Sequence, residues 1–230
     1  MIFSGVGLGP GDPELVTLKA LRVLNEADGV FIPISGRGRE SVAGSILEAH
    51  LDRETIPLYF PMVRDGEKRD SILRKELQRT RPLWEGASSL AMPVIGDSAL
   101  YATVAYLFDM LKEERPHLEL ELVPGVSAHS LASSRAGRFL ALGEESLSVI
   151  SGAAPAGRIK AMLAAAESAV IYKPSALGER LRETAEAAGP WRTVLRVDRA
   201  GMEDERIVTG DRELDPTEEY LSLVQLLRFR

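Results

Sequence analysis

Short apolar runs alternate with helix-patterned stretches through the first half of this chain, and few folds accept that order. Residues 2–7 read as a strand, 13–26 as a helix, 29–34 as a strand and 40–50 as a helix. A strand-like run at 55–60, a charged helical stretch over 66–80, another strand at 89–95 and a helix over 98–111 continue the pattern. In that last helix Leu100, Val104, Leu107 and Leu111 recur at helical spacing and form one apolar stripe. Strands that alternate with helices pack as βαβ units, so the first half predicts a largely parallel sheet.

The polar stretch KEERP, residues 112–116, reads as a linker. Beyond it, residues 118–123 alternate as a half-buried strand does, and 124–132 read as a turn into a short helix. Further strands are expected at 146–151, 169–173 and 193–197, with helices between them. Residues 205–210 and 220–229 look like strands with no helix between, which predicts antiparallel pairing and a mixed sheet. The expectation is an α/β chain of two α/β domains, residues 1–116 and 117–230, with a cleft between them.

Composition removes several classes of function. No apolar run approaches the roughly 18 residues of a membrane span, and MIFSGVGLG lacks the basic residues of a signal peptide. The expected location is the cytoplasm. Cysteine is absent, so no disulfide, thiolate nucleophile or cysteine metal site is available. His50, His117 and His129 are too scattered to suggest a metal site. A net charge of −6 argues against a nucleic-acid partner.

The glycine-rich stretch GVGLGPGDPEL, residues 5–15, raises the question of a phosphate loop. A GxGxxG reading fails: its last position is Pro10 when counted from Gly5 and Asp12 when counted from Gly7. A Walker loop fails for want of Gly-Lys-Ser/Thr, and Asp12 would repel a phosphate. Asp12 is a good N-cap and Pro13 suits a first helical turn, so the stretch is either a sharp βα turn alone or a loop for a ligand that is not a phosphate. Two more loops share its character: VIGDSALYAT at 94–103 and VPGVSAHS at 123–130, where Ser127 can cap a helix. All three follow expected strands, at the edge where α/β sheets bind ligands.

Together these loops resemble a known family. VGLGPGDPELVTLKA, GDSALY, VPGVSA and the late VDRAG of residues 197–201 are similar, in that order, to the motifs of the tetrapyrrole methylases, which use S-adenosylmethionine. LYFPMVRD, GEESLSVIS and EYLSLV resemble the branch of that family that methylates C20 of precorrin-2 or cobalt-factor II in cobalamin biosynthesis. The sequence departs from the family at Ser98, where Pro usually follows Gly-Asp. The resemblance implies a cofactor site made of Pro10, Ile95, Gly96, Asp97, Leu100, Ser127, Ala128, Tyr172, Lys173, Arg199 and Ala200, which hold S-adenosylmethionine largely through backbone. It also implies a homodimer.

The implied chemistry is in-line displacement of a sulfonium methyl by a nucleophilic ring carbon, for which alignment alone contributes roughly 7–11 kcal/mol. Asp97, Tyr101 and Lys173 are the candidates to orient substrate or move the proton that C20 loses. The substrate's carboxylates call for local positive charge, and Arg37 and Arg39 in GRGRES are the expected partners. Residues 64–81 hold seven Lys/Arg against four acids, a run that reads more readily as a solvated helix face. His129 is expected on a helix surface. Alternative readings are a methylase of the same fold with another acceptor, and a tetrapyrrole-binding protein without catalysis.

Overall fold

A computed structural model describes residues 1–36, 41–61, 63 and 65–229. The first unit, Met1–Ser127, holds β1 (Ile2–Gly7), α1 (Leu18–Glu26), β2 (Gly29–Ile34), α2 (Val42–Leu47), β3 (Ile56–Tyr59), α3 (Gly66–Thr80), β4 (Ser89–Val94), α4 (Val104–Glu114) and β5 (Glu119–Val123). Its sheet runs β3-β2-β4-β1-β5, and every pairing is parallel. Apolar side chains leave both sheet faces. Phe3, Phe31, Leu58 and Met92 pack with Leu73 and Leu77 of α3 and Leu107 and Leu111 of α4. Val6, Val30 and Ala91 pack with Ala20 and Leu24 of α1 and Ile46 of α2. This two-sided burial is what a parallel sheet requires.

The second unit, Ala128–Arg230, holds α5 (Ala128–Arg135), β6 (Leu147–Ser151), α6 (Ala156–Ala164), β7 (Ser168–Tyr172), α7 (Arg180–Glu186), β8 (Thr193–Asp198), β9 (Arg206–Thr209) and β10 (Ser222–Leu227). Its sheet runs β6-β7-β10-β8-β9. Among the described residues only β6 and β7 pair in parallel; β10 is antiparallel to both neighbours, and β8 to β9. The expected mixed sheet is present.

Four expectations shift. The division falls after Ser127 rather than at residue 116, because β5 pairs with β1 and completes the first sheet. KEERP is the last turn of α4 and the bend into β5. The helix expected at 98–111 begins only at Val104, since residues 97–103 are held in turns. The helix expected at 13–26 is a 3-10 turn, Pro13–Leu15, then α1; Asp12 caps the turn by accepting the Glu14 N–H at 3.0 Å. The basic run forms α3, and its cations meet acids: Arg74 with Glu113 at 2.6 Å, Arg79 with Glu76 at 2.7 Å.

Neighbouring parallel strands bring their carboxyl ends to one edge, so the loops after β4, β1 and β5 lie side by side. They touch through backbone. Gly9 and Gly96 exchange N–H···O bonds of 3.2 and 2.7 Å. A Cβ on Gly125 would stand 2.4 Å from the Gly96 oxygen, and one on Gly7 would stand 2.6 Å from the Gly125 nitrogen.

In the second unit Arg228 gathers loose carbonyls. Its guanidinium donates to Ala166, Leu163, Ala188 and Pro190 oxygens at 2.9 to 3.1 Å, around the ends of α6 and α7, and covers the Trp191 ring at 4.1 Å.

These features set three expected outcomes. Gly125→Ala should lower unfolding stability by about 3 kcal/mol or abolish folding, since only backbone can yield. Gly157→Ala, where α6 leaves open space, should change stability by about 1 kcal/mol or less, toward gain. Arg228→Met should cost about 2–4 kcal/mol, because several carbonyls lose their donor. Urea titration of the three variants checks all of this.

Candidate functional site

The second glycine loop is tied to the third by side chains. Asp97 uses both carboxylate oxygens on backbone: Oδ1 accepts the Ala99 N–H at 2.8 Å and Oδ2 accepts the Gly125 N–H at 3.0 Å. The first bond closes an Asx turn and the second straps loop to loop. Asp97 therefore caps a turn; no helix starts there. Ser98 is buried and donates its hydroxyl to the Val123 oxygen at 2.8 Å. The departure from the family's Pro is thus filled by a tether onto the end of β5. Gly96 takes φ +76, and a Cβ there would meet nothing within 4 Å. Its backbone borders open space, as a loop that admits a ligand requires. Pro10 is buried, while Ile95 and Leu100 are half-buried.

Three non-glycine residues adopt left-handed backbone among the described residues: Tyr101 (φ 53), Lys173 (φ 55) and Arg199 (φ 53). Each is one of the nominated site residues. Such conformations cost about 1–3 kcal/mol apiece and persist where surroundings impose them, most often at functional sites. Tyr101 follows the Asp97 turn and stays exposed. Desolvation pushes its hydroxyl pKa above the ordinary phenol value.

Lys173 and Arg199 end β7 and β8, the two neighbours of β10. The Lys173 N–H donates to the Ser222 oxygen at 3.3 Å, and its own carbonyl accepts the Ala176 N–H at 3.0 Å. Gly152 lies against this corner. Its N–H donates to the Tyr172 oxygen at 2.7 Å, and a Cβ would stand 2.5 Å from the Lys173 oxygen. The Arg199 N–H donates to the Leu221 oxygen at 2.7 Å, while its guanidinium pairs with Asp204 at 2.5 Å. That pairing raises the Arg199 pKa. Ala200 is buried beside it.

Tyr172 holds the first turn of α5. Its hydroxyl accepts the His129 N–H at 3.2 Å and lies 2.9 Å from His129 Nδ1, with the rings edge to face. Gln225, fully buried in β10, donates to the His129 oxygen at 2.8 Å and accepts from Ser133 at 3.2 Å. His129 is consequently half-buried and bound on several sides, against the expectation of a surface histidine. Ser127 and Ala128 immediately precede it.

Within the first unit the structure brings Gly9, Gly96, Asp97 and Gly125 together; within the second it sets Lys173 and Arg199 on either side of the start of β10. Arg37 and Arg39 lie outside the described residues. Sequence reasoning named Tyr172 and His129 separately but missed Gly152, Gln225 and the hydrogen bonds that join Tyr172, His129 and Gln225. The signal for Gln225 was a lone amide inside the apolar run LSLVQLL. No described group of His, Cys, Asp and Glu is arranged to hold a metal ion.

The profile of the Tetrapyrrole (Corrin/Porphyrin) Methylases matches residues 3–215. A probable cobalt-precorrin-2 C(20)-methyltransferase of Methanocaldococcus jannaschii is 32% identical over 231 residues, 98% of this chain and 96% of the relative. A precorrin-2 C(20)-methyltransferase of Sinorhizobium sp is 29% identical over 230 residues, 96% and 92% of the two chains. Among solved structures, the uroporphyrin-III C-methyl transferase from Thermus thermophilus, complexed with S-adenyl homocysteine, shares the fold at TM-score 0.69 and 23% identity, covering 99% and 97%. With the ordered glycine loops and a match over most of its length, this chain belongs to the tetrapyrrole methylase family.

Proposed function

We propose that this chain transfers a methyl group from S-adenosylmethionine to C20 of precorrin-2 or its cobalt-containing counterpart, in cobalamin biosynthesis. The observation that carries the reading is near full-length identity to relatives named for that C20 transfer. The site's chemistry fits the cofactor. Its nominated positions offer backbone N–H and C=O groups on glycine and left-handed turns, and Gly96 borders open space. The phosphate-binding lysine of a nucleotide loop is absent from the first loop.

Bound S-adenosylmethionine supplies an electrophilic methyl on a sulfonium. Pro10, Ile95, Gly96, Leu100 and Ser127 of the first unit, and Ala128, Tyr172, Lys173, Arg199 and Ala200, are the proposed cofactor-binding residues. The Asp97 carboxylate, with both oxygens on backbone N–H groups, serves that binding by holding its loop. Tyr101, protonated at neutral pH, donates a hydrogen bond that orients substrate. Lys173 moves the proton lost from C20 or orients a carboxylate of the macrocycle. Arg37 and Arg39 are the proposed carboxylate partners of the substrate.

The proposal includes a homodimer in the cytoplasm. Exposed Leu120 and Leu122, alternate residues of the edge strand β5, support self-association. No described helix is long and apolar enough to cross a membrane.

The deciding assay is anaerobic incubation with S-adenosylmethionine and either precorrin-2 or cobalt-factor II, read by product mass and by NMR of C20. One added methyl at C20 in either tube is the expected result; none in both overturns the reading. Asp97→Asn should raise the dissociation constant for S-adenosylhomocysteine about tenfold, because an amide N–H would then oppose a backbone N–H. Calorimetric titration of that variant checks the loop-holding role.

A further inference from the structure

The corner that carries Arg199 is built on buried charge. Asp198, the residue before Arg199, is 6% exposed. Arg196 Nε donates to its Oδ1 at 2.9 Å and Arg206 Nη1 to its Oδ2 at 3.2 Å. Arg206 also reaches Glu213, equally buried, at 3.2 Å, and Arg196 Nη2 donates to Thr217 Oγ1 at 2.6 Å. Removing this many charges from water is expensive, and apolar side chains of similar size fill such corners at least as stably. Charged hydrogen bonds do supply direction, which apolar packing does not.

That direction is delivered to one turn. Asp198 is the cross-strand partner of Ser222, and the next residue on each strand is where the turn is pinned: the Arg199 N–H donates to the Leu221 oxygen at 2.7 Å. The far side of the turn is latched as well. Met202 N–H donates to the Arg199 oxygen at 3.0 Å, Gly201 N–H to Glu205 at 2.6 Å, and the Arg199 guanidinium is held by Asp204. With that guanidinium engaged, the turn presents backbone as its recognition surface. Burial pulls the Asp198 pKa up, but its interactions with Arg196, Ser222 and Arg206 outweigh it and hold the carboxyl below its ordinary value. Asp198 is therefore ionised at neutral pH.

We propose that Asp198, clamped by Arg196 and Arg206, is a positioning residue that sets the left-handed Arg199–Ala200 turn in the form that takes the cofactor. The proposal rests on the reading of Arg199 and Ala200 as cofactor-binding residues. It separates their backbone, which meets the ligand, from the charge behind them, which shapes it.

Calorimetric titration of the full chain with S-adenosylhomocysteine tests this. Asp198→Asn keeps size and removes charge; it should weaken binding about tenfold, and raise the KM for S-adenosylmethionine with kcat within about threefold. Arg206→Lys keeps the charge and should bind within about threefold of the unaltered chain. Arg228→Met destabilises the same unit away from the turn, and should lower the melting temperature with the dissociation constant within about twofold. Binding by Asp198→Asn within about twofold of the unaltered chain overturns the proposal, as does an equal loss in Arg228→Met. If Asp198→Asn does not fold, Arg206→Gln, altered at a half-exposed side chain, replaces it: about threefold weaker binding is expected, and unchanged binding overturns the proposal. No binding by the unaltered chain would overturn the cofactor reading itself, and the positioning role with it.

Discussion

Contact between backbones without side chains is what the first unit depends on. Parallel neighbours β4, β1 and β5 end at one edge, so their three following loops compete for the same space. Gly7 and Gly125 resolve that competition by bringing backbone onto backbone, against each other and the Gly96 oxygen, at distances no Cβ allows. Once the loops are that close, Asp97 can reach the Gly125 N–H and Ser98 the Val123 oxygen. The strap and tether follow from the glycines.

The second unit reaches a similar result by other means. Here an antiparallel strand separates the two turns. Because β10 runs against β7 and β8, its first residues lie beside their last. Successive carbonyls, Leu221 and Ser222, then receive the N–H groups of Arg199 and Lys173. A parallel strand in that place would offer its other end. The mixed sheet, a departure from the all-parallel pattern of the first unit, is thus the reason that both strained turns share one support.

Both arrangements suit chemistry in which the protein contributes geometry above all. Methyl transfer from a sulfonium needs alignment and dryness more than a strong acid or base. Backbone groups on short, over-determined turns hold position better than long side chains do, since they carry no rotamer entropy. The commitment of Asp97, Tyr172, Asp198 and Arg199 to internal bonds fits that division of labour: these side chains shape the turns.

Much of this was legible in the chain. Period and punctuation located most strands, the parallel character of the first sheet and the antiparallel end of the second, because local backbone preference and side-chain alternation decide them. The ordered glycine loops pointed to the family and to the residues that turn out left-handed. Other features depended on partners distant in sequence. An alternating edge strand at 119–123 does not say which sheet it joins, so its place beside β1 emerged only in the fold. Asp97 reads as a cap whether it serves a helix or straps a loop 28 residues away. Gly152 and Gln225 acquire meaning only against Lys173 and His129. The sequence by itself determined the elements, the loops and the family. Tertiary structure decided which side chains shape the site, because hydrogen bonds between remote segments exist only once the strands have set their distances.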